Sequence, residues 1–322
     1  MALRPPSLPM TAFIAFLIVL ALVEAPLSEC STLPEPRLVI YVQTTHQVDG
    51  SPISILPLIE EPGITATHLI IAAFHINEDS EIHLNDHDPN DPTFATLWSE
   101  VELIKAAGVK VMGMVGGAAP GSFTTATLDG DDSVFEKYYQ QLYKVVQEYQ
   151  LEGLDLDVEE SMSLDGATRL IRRLRSDFGS DFIITLAPVA SALLDHGNLS
   201  GFSYSALEAT VGTDIAFYNT QFYSGFGTMS TPDDYRNLIA AGWKPQKIVI
   251  GQLTSPDKGY GFIPLSELTY TIDNLRARYK EIGGIMGWEY YSSSPGGVDQ
   301  PWQWAQLVTP ILQQRGSHCA KG

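Results

Sequence analysis

Eight short apolar segments, separated by stretches with helical periodicity, most strongly limit the folds open to this chain. The segments are rich in Val, Ile, Leu and Ala and show little alternation, which is typical of parallel strands that are covered on their outer face. The predicted strands are Arg37–Gln43, His68–His75, Val109–Val115, Gly153–Glu159, Asp181–Pro188, Asp214–Tyr223, Lys247–Gln252 and Gly284–Glu289.

Helical patterns lie between most of these strands. The predicted helices are Phe94–Ala107, Ser133–Tyr149, Ala167–Phe178, Pro232–Ala241, Ser266–Lys280 and Pro301–Gln314. The second begins with a capping box, Ser133-Val-Phe-Glu136. Strands and helices that alternate without a linker predict an α/β protein with a single (β/α)8 TIM barrel. A doubly wound open sheet is the alternative, but the glycine fingerprint that usually follows its first strand is absent.

Residues 1–30 are predicted to be a secretory signal peptide. Arg4 precedes an apolar run of 11 residues from Phe13 to Val23, whereas a membrane-spanning helix needs about 20. An uncleaved anchor is the alternative. We therefore expect a secreted, extracellular protein in which residues 31–322 form the barrel. The two cysteines are Cys30 and Cys319, and whether they can pair depends on the cleavage site.

The charge of the chain excludes several classes of partner. The 322 residues include 19 Lys and Arg against 38 Asp and Glu, which gives a formal net charge of −19. Such a surface repels nucleic-acid phosphates and anionic lipids, so we expect no nucleic-acid or membrane partner for the mature chain, and a monomer. Neutral substrates such as carbohydrates are compatible with this charge. Asn198-Leu-Ser is a sequon for N-glycosylation.

The fourth predicted strand carries an unusual row of acids. Asp155, Asp157 and Glu159 alternate with aliphatic residues, so all three point to one face of the strand. Neighbouring carboxylates oppose one another's ionisation, which helps to keep one of them protonated as a general acid. A solvated strand end and a Mg²⁺ or Mn²⁺ site are the alternatives. Phosphoryl transfer lacks a nearby cationic residue or phosphate loop, and we expect no metal and no cofactor.

The segment Glu152-Gly-Leu-Asp155-Leu-Asp157-Val-Glu159 resembles the D-G-x-D-x-D-x-E signature of glycoside hydrolase family 18. This family has a TIM barrel with the motif on its fourth strand, and it includes chitinases and endo-β-N-acetylglucosaminidases. Glu152 stands where Asp is usual, and Val158 replaces a common aromatic residue. The resemblance implies retaining, substrate-assisted hydrolysis, in which the acetamido oxygen of the substrate attacks the anomeric carbon and gives an oxazolinium intermediate.

The resemblance also implies roles for individual residues. Glu159 would protonate the glycosidic oxygen, Asp157 would orient the 2-acetamido group, and Asp155 would influence the proton on Asp157. On the sixth predicted strand, Gln221 and Tyr223 match the Q-x-Y element of the family. The Tyr223 hydroxyl would hold the acetamido carbonyl, where a phenol stabilises developing charge.

Further residues are candidates for the substrate pocket. By strand parity Asn219 shares a face with Gln221, although a polar layer inside the barrel is the alternative. Trp288, on the last predicted strand, matches the indole floor of the family under the −1 sugar, and a core tryptophan is the alternative. Gly116 and Gly117 resemble the S-x-G-G element of the family, with Met114 in place of serine.

Two aromatic residues on the first two predicted strands have no motif to assign them. Tyr41 and Phe74 could line the pocket or pack in the core. Both interpretations are open from the sequence.

Longer blocks extend the resemblance from about Arg37 to Gln314. Segments such as THLIIAAFHIN, YNTQFYSGFG and MGWEYY resemble fungal endo-β-N-acetylglucosaminidases of the Endo T type. This resemblance implies cleavage of the GlcNAc-β1,4-GlcNAc core of N-glycans, of the high-mannose type. An endochitinase that acts on chitin oligomers is the alternative. A non-catalytic chitinase-like lectin is less favoured because Glu159 is present.

Overall fold

Eight parallel strands of the chain close into a barrel. The computed structural model describes Met1, residues 36–77 and residues 81–313. The chain separates into two units, Met1–Pro34 and Glu35–Gly322, and the second contains all the strands and helices given below. Apart from Met1, the predicted signal peptide lies outside the described residues, as do Cys30 and Cys319, and secretion and disulfide pairing stay predictions.

The strands follow one another around the barrel in chain order. They are β1 (Arg37–Val42), β2 (His68–Ile76), β3 (Ile82–Leu84), β4 (Lys110–Gly116), β5 (Gly153–Asp157), β6 (Ile183–Leu186), β7 (Phe217–Gln221), β8 (Ile248–Leu253) and β9 (Gly284–Trp288). Pairing of β1 with both β9 and β2 closes the barrel. The short β3 was not predicted and lies antiparallel to β2, outside the ring of eight. The predicted (β/α)8 barrel is confirmed.

Helices connect the strands and cover the outer face of the barrel. They are α1 (Pro57–Glu60), α2 (Ala95–Ala106), α3 (Asp132–Glu148), α4 (Leu164–Phe178), α5 (Tyr204–Val211), α6 (Asp233–Ala240), α7 (Leu265–Arg278) and α8 (Gln303–Gln313). The short helices α1 and α5 were not predicted. Among the described residues, none of the helices combines the length and the apolar character needed to cross a membrane.

Two helix starts show how the local sequence sets the helical boundaries. Ser163 caps α4, since its hydroxyl accepts a hydrogen bond from the Gly166 N–H. The prediction that Ser133 caps α3 is wrong. The cap is Asp131, whose carboxylate accepts from the N–H groups of both Ser133 and Val134, so the helix begins one residue earlier than predicted.

The buried apolar residues form two clusters, one on each face of the sheet. The outer cluster lies between the strands and the helices and contains most of the core. The inner cluster fills the barrel and consists of Val39, Tyr41, Ile70, Ala72, Ala73, Met112, Met114, Phe217, Val249 and Met286, with Ile183 and Trp288 packed against it. Tyr41 and Trp288 therefore lie on the inner side of the barrel.

Phe74 lies on the other side of the sheet, which corrects the expectation that it could line the pocket. Its ring is fully buried in the outer cluster. The register of β2 against β4 shifts between Ile71 and Phe74, and Ala72 and Ala73 both belong to the inner cluster. Because two successive residues face inward, Phe74 faces outward where simple alternation would have placed it inside the barrel.

We expect Phe74→Ala to lower the free energy of unfolding by about 3–5 kcal/mol, because it removes a buried ring and leaves a cavity. Leu103→Ala is the matched control. Leu103 lies on α2 and is 52% exposed, so this substitution should change the free energy of unfolding by no more than about 0.5 kcal/mol. Urea unfolding followed by tryptophan fluorescence measures both variants. Equal losses in the two variants would contradict the position of Phe74 in the outer cluster.

Candidate active site

The three acids of the fourth barrel strand run from the closed interior of the barrel to its open carboxyl end. Asp155 and Asp157 lie on β5, and Glu159 follows it. Asp155 is fully buried, Asp157 is 6% exposed and Glu159 is partly exposed. The aliphatic residues that alternate with the acids pack in the outer cluster. Access to solvent therefore increases along the row of acids, and Glu159 is the most accessible of the three.

Asp155 is held by side chains from three other strands. The Tyr41 hydroxyl donates to its Oδ2 at 2.6 Å. The Thr185 hydroxyl and the Asn219 amide donate to its Oδ1 at 2.5 and 3.1 Å. Burial raises the pKa of Asp155, and the three hydrogen bonds act in the opposite direction. This carboxyl group is therefore fixed in position beneath the rest of the row.

Asp157 and Glu159 share one hydrogen-bond donor. Gln221 Nε2 lies 3.2 Å from Asp157 Oδ1 and 3.2 Å from Glu159 Oε1, and it donates to the Ala187 carbonyl at 2.8 Å. Burial raises the pKa of Asp157 well above its usual value, and the charges of Glu159 and Asp155 raise it further. Asp157 therefore keeps a proton under conditions in which an exposed aspartate is ionised.

Tyr223 lies just beyond β7, beside the same acids. Its side chain is buried, and burial raises the pKa of its hydroxyl well above the usual value, with further contributions from Asp157 and Glu159. Burial and the neighbouring Asp155 have the same effect on the pKa of Tyr41. Both phenols therefore stay protonated and can donate hydrogen bonds over a wide range of pH.

Trp288 is a third aromatic residue at this end of the barrel, beside Tyr41 and Tyr223. It is the last residue of β9 and is partly exposed. The centre of its ring system lies 5.4 Å from that of Tyr41, with 59° between the two planes. Since the Tyr41 hydroxyl contacts Asp155, the indole lies close to the row of acids.

The loop after β4 approaches the backbone of the acid strand closely. Gly116 and Gly117 have φ values of 95° and 88°, which glycine adopts at little cost. The Gly117 N–H donates to the Asp157 carbonyl at 2.8 Å. A Cβ atom on Gly116 would lie 2.5 Å from that same carbonyl oxygen. Only glycine therefore fits at this contact without a shift of the backbone.

A glutamate that was not predicted from the sequence holds this loop. Glu160 directly follows Glu159, and its carboxylate accepts from the Gly121 N–H at 2.9 Å and from the Phe123 N–H at 2.8 Å. An acid that directly follows the row of acids was the available signal. Its contacts are with backbone atoms, which side-chain patterns do not reveal.

A second missed glutamate holds the loops on the opposite side of the barrel end. Glu289 follows Trp288 and is 4% exposed. It accepts from the Gln43 and Thr44 N–H groups at 3.0 and 2.8 Å. Its other oxygen accepts from the Thr44 hydroxyl at 2.7 Å and pairs with Lys258 Nζ at 3.1 Å. Glu289 thereby links the segments after β1, β8 and β9 around the indole.

Asn198 is not part of this site. It is half-buried, its Nδ2 donates to the Phe202 carbonyl at 2.5 Å, and its Oδ1 accepts from the Ser200 N–H at 2.8 Å. Glycosylation of Asn198 stays a prediction. Across residues 36–77 and 81–313, no group of three or more His, Cys, Asp or Glu side chains is arranged to hold a metal ion.

The arrangement defines a class of protein. A TIM barrel that carries carboxylic acids and aromatic rings at the carboxyl ends of its strands has its functional groups where barrel enzymes have their active sites. A row of acids with one partly exposed member is suited to glycoside hydrolysis. The sequence model described as glycosyl hydrolases family 18 matches residues 37–257, and the chain belongs to this family of glycoside hydrolases.

Solved structures extend the similarity over almost the whole barrel. A fungal endo-β-N-acetylglucosaminidase from glycosyl hydrolase family 18 is 60% identical, with a TM-score of 0.85, over 86% of this chain and 98% of that one. The chitinase ChiC from Aspergillus fumigatus is 49% identical, with a TM-score of 0.78, over 86% of this chain and 99% of that one. The resemblance found in the sequence is confirmed at the level of the family.

Curated relatives are more distant. Chitinase 2 from Rhizopus oligosporus is 27% identical in an alignment of 206 positions that covers 59% of this chain and 36% of that protein. Chitinase 1 from Rhizopus niveus is 26% identical in an alignment of 212 positions that covers 60% of this chain and 40% of that protein. The chain therefore spans less than half the length of these two relatives.

We expect Asp157→Asn to stabilise the fold increasingly as the pH rises. The raised pKa of folded Asp157 contributes stability that is fully present below about pH 4, near the pKa of an unfolded aspartate. That contribution is lost as the pH rises through the folded pKa, whereas an asparagine does not ionise. The melting temperature of the variant minus that of the wild type should therefore increase from pH 4 to pH 8.

Asp299→Asn is the control for this experiment, since Asp299 is exposed in the loop before α8. The melting temperature of this control variant minus that of the wild type should stay nearly constant with pH. A constant or decreasing difference for Asp157→Asn would show that Asp157 is ionised in the folded protein at low cost.

Proposed function

We propose that this protein is a secreted endo-β-N-acetylglucosaminidase that cleaves the GlcNAc-β1,4-GlcNAc core of N-glycans of the high-mannose type. The observation that carries the proposal is the 60% identity with a fungal endo-β-N-acetylglucosaminidase over 86% of this chain. An endochitinase is the second candidate, which the 49% identity with the chitinase ChiC favours. Secretion rests on the predicted signal peptide alone.

Glu159 is proposed as the general acid and base. It is the most accessible member of the row of acids, and Gln221 holds one of its oxygens. Glu159 would protonate the glycosidic oxygen as the bond to the anomeric carbon breaks. The resulting carboxylate would then take a proton from the water molecule that attacks the intermediate from the side of the departed group.

The surroundings of Asp157 support substrate assistance. Burial and two neighbouring acids raise the pKa of Asp157, so it holds a proton more strongly than an exposed aspartate does, and a protonated carboxyl group is a poor nucleophile. We therefore assign the attack on the anomeric carbon to the 2-acetamido oxygen of the substrate, as the family mechanism requires. Asp157 would orient that acetamido group, and Asp155, fixed by three donors, would influence where the proton lies.

The remaining residues of the site would hold the substrate and the acids. The protonated Tyr223 hydroxyl would donate to the acetamido carbonyl oxygen, and the Trp288 indole would lie under the −1 sugar. The side-chain amides of Asn219 and Gln221 donate hydrogen bonds to Asp155 and Asp157. We therefore propose that they act on the substrate through those acids. The acetamido group and then water would attack opposite faces of the anomeric carbon. Two such inversions would give net retention of configuration.

We expect Glu159→Gln to lower kcat by about 10²- to 10⁴-fold, the usual contribution of a general acid. Glutamine keeps the volume of the side chain but cannot give up a proton, so the melting temperature should stay near that of the wild type. Glu148→Gln, at an exposed position on α3, is the matched control and should keep full turnover. Near-normal kcat for Glu159→Gln would overturn the assignment of the acid.

We expect the purified protein to release N-glycans that end in one reducing GlcNAc, and to leave one GlcNAc on asparagine. The measurement is mass spectrometry after incubation with a high-mannose glycoprotein, and in parallel with chitin oligomers, with a chelator present in both. Cleavage of chitin oligomers alone would make the protein an endochitinase.

Other outcomes of the same measurement test the remaining alternatives. Glycan binding without any cleavage would favour the chitinase-like lectin. Activity that appears only when the chelator is omitted and a divalent cation is supplied would favour a metal-dependent reaction.

A further inference from the structure

A cavity of about 490 Å³ opens at the same end of the barrel as the row of acids. Its walls come from the segments after β6, β7 and β8 and from α6, and the carboxyl ends of parallel strands meet at one end of a barrel. The cavity lies next to Tyr223: a Cβ atom on Gly261, in its wall, would be 3.1 Å from Tyr223 Cα. The reaction proposed above uses none of the residues that line it.

The lining of the cavity fits a neutral, hydroxyl-rich ring. Tyr260 is 80% exposed at its rim, and Phe226 is half-buried in its wall. The faces of aromatic rings pack well against the C–H faces of sugars. Ser191, His196 and Asn237 offer hydrogen-bonding groups along the same walls. The residues that line the cavity include an aspartate but no lysine or arginine, which disfavours phosphate, sulfate or carboxylate ligands.

The walls are linked to one another by hydrogen bonds. The Ser224 N–H donates to the Tyr260 carbonyl at 2.8 Å, and the Ser191 N–H donates to the Phe226 carbonyl at 3.0 Å. The Thr228 N–H donates to Asp234 at 2.8 Å. These bonds join the segments after β6, β7 and β8 and the start of α6. A cavity that is formed in this way before a ligand arrives loses little conformational entropy on binding.

We propose that this cavity is a remote sugar subsite, in which Tyr260 stacks on a neutral pyranose ring of the substrate. The inference rests on the proposed function, because the ring belongs to the same glycan that is cut beside Glu159. Its volume is within the range of small-molecule sites. Tyr260 is a specificity residue on this view: it contacts the distant part of the substrate and has no part in the reaction itself.

The test compares a long and a short substrate. Tyr260→Ala should raise KM for a high-mannose glycoprotein by about five- to tenfold and leave kcat unchanged, because one aromatic contact is lost. An aryl glycoside of diacetylchitobiose lacks the outer sugars, one of which the proposal places in the cavity, so its KM should not change. Tyr260→Phe keeps the ring and should behave like the wild type. Tyr270→Ala, at a 66% exposed position on α7, is the matched control and should leave KM unchanged for both substrates.

Two kinetic results would overturn the subsite. An unchanged KM for the glycoprotein in Tyr260→Ala would show that the ring makes no contact with substrate. An equal rise in KM for both substrates would show that the substitution acts on the reaction site, through the hydrogen bond between the Ser224 N–H and the Tyr260 carbonyl.

A binding measurement separates this proposal from the proposed function. Isothermal titration of a high-mannose glycan with one reducing GlcNAc would compare Glu159→Gln with the double variant Glu159→Gln and Tyr260→Ala. At least fivefold weaker binding by the double variant supports the subsite, even if the wild type cleaves neither substrate and the proposed function fails. Equal binding, or no binding by either variant, overturns the subsite even if the wild type cleaves N-glycans.

Discussion

The rest of this barrel depends on the burial of two carboxyl groups in its interior. Barrel interiors are usually filled by branched apolar side chains, and a buried acid is costly unless it is hydrogen-bonded. For Asp155 the cost is reduced by donors from three other strands: Tyr41 on β1, Thr185 on β6 and Asn219 on β7. The acid row on β5 therefore restricts which residues the other strands can carry at the same level.

Burial also makes the acids differ in their pKa and in their access to solvent. The closed interior raises the pKa of Asp157, whereas Glu159 lies where the barrel opens. Strands alone do not maintain that opening. Two glutamates that directly follow candidate site residues, Glu160 and Glu289, accept hydrogen bonds from backbone N–H groups of neighbouring loops. The shape of the site therefore depends on acids that bind loop backbone, which a search for acidic residues in the sequence does not separate from the proposed catalytic acids.

Much of this site could be predicted from the sequence, because the strands obey simple alternation where it matters most. Parity on β5 and β7 brings together Asp157 and Gln221, 64 residues apart. Prediction failed where a local irregularity broke the alternation, as for Phe74, and for α1, whose four residues are too few to show a helical period. It also failed for the contact of Glu289 with Thr44, 245 residues away, because nothing in either local sequence points to the other.

The shared barrel does not decide between the two proposed activities. An endo-β-N-acetylglucosaminidase and a chitinase are both similar to this chain over 86% of its length, so the fold alone does not distinguish the two proposed substrates, a branched N-glycan and a linear polymer. The two substrates share N-acetylated sugars at the bond that is cut and differ beyond it. Discrimination must therefore come from surfaces that the distant sugars reach, and in a barrel these are the loops at the carboxyl ends of the strands. The cavity beside Tyr223 lies among those loops, at the side of the acids and not beneath them, which is where recognition can vary without disturbing the buried carboxyl groups.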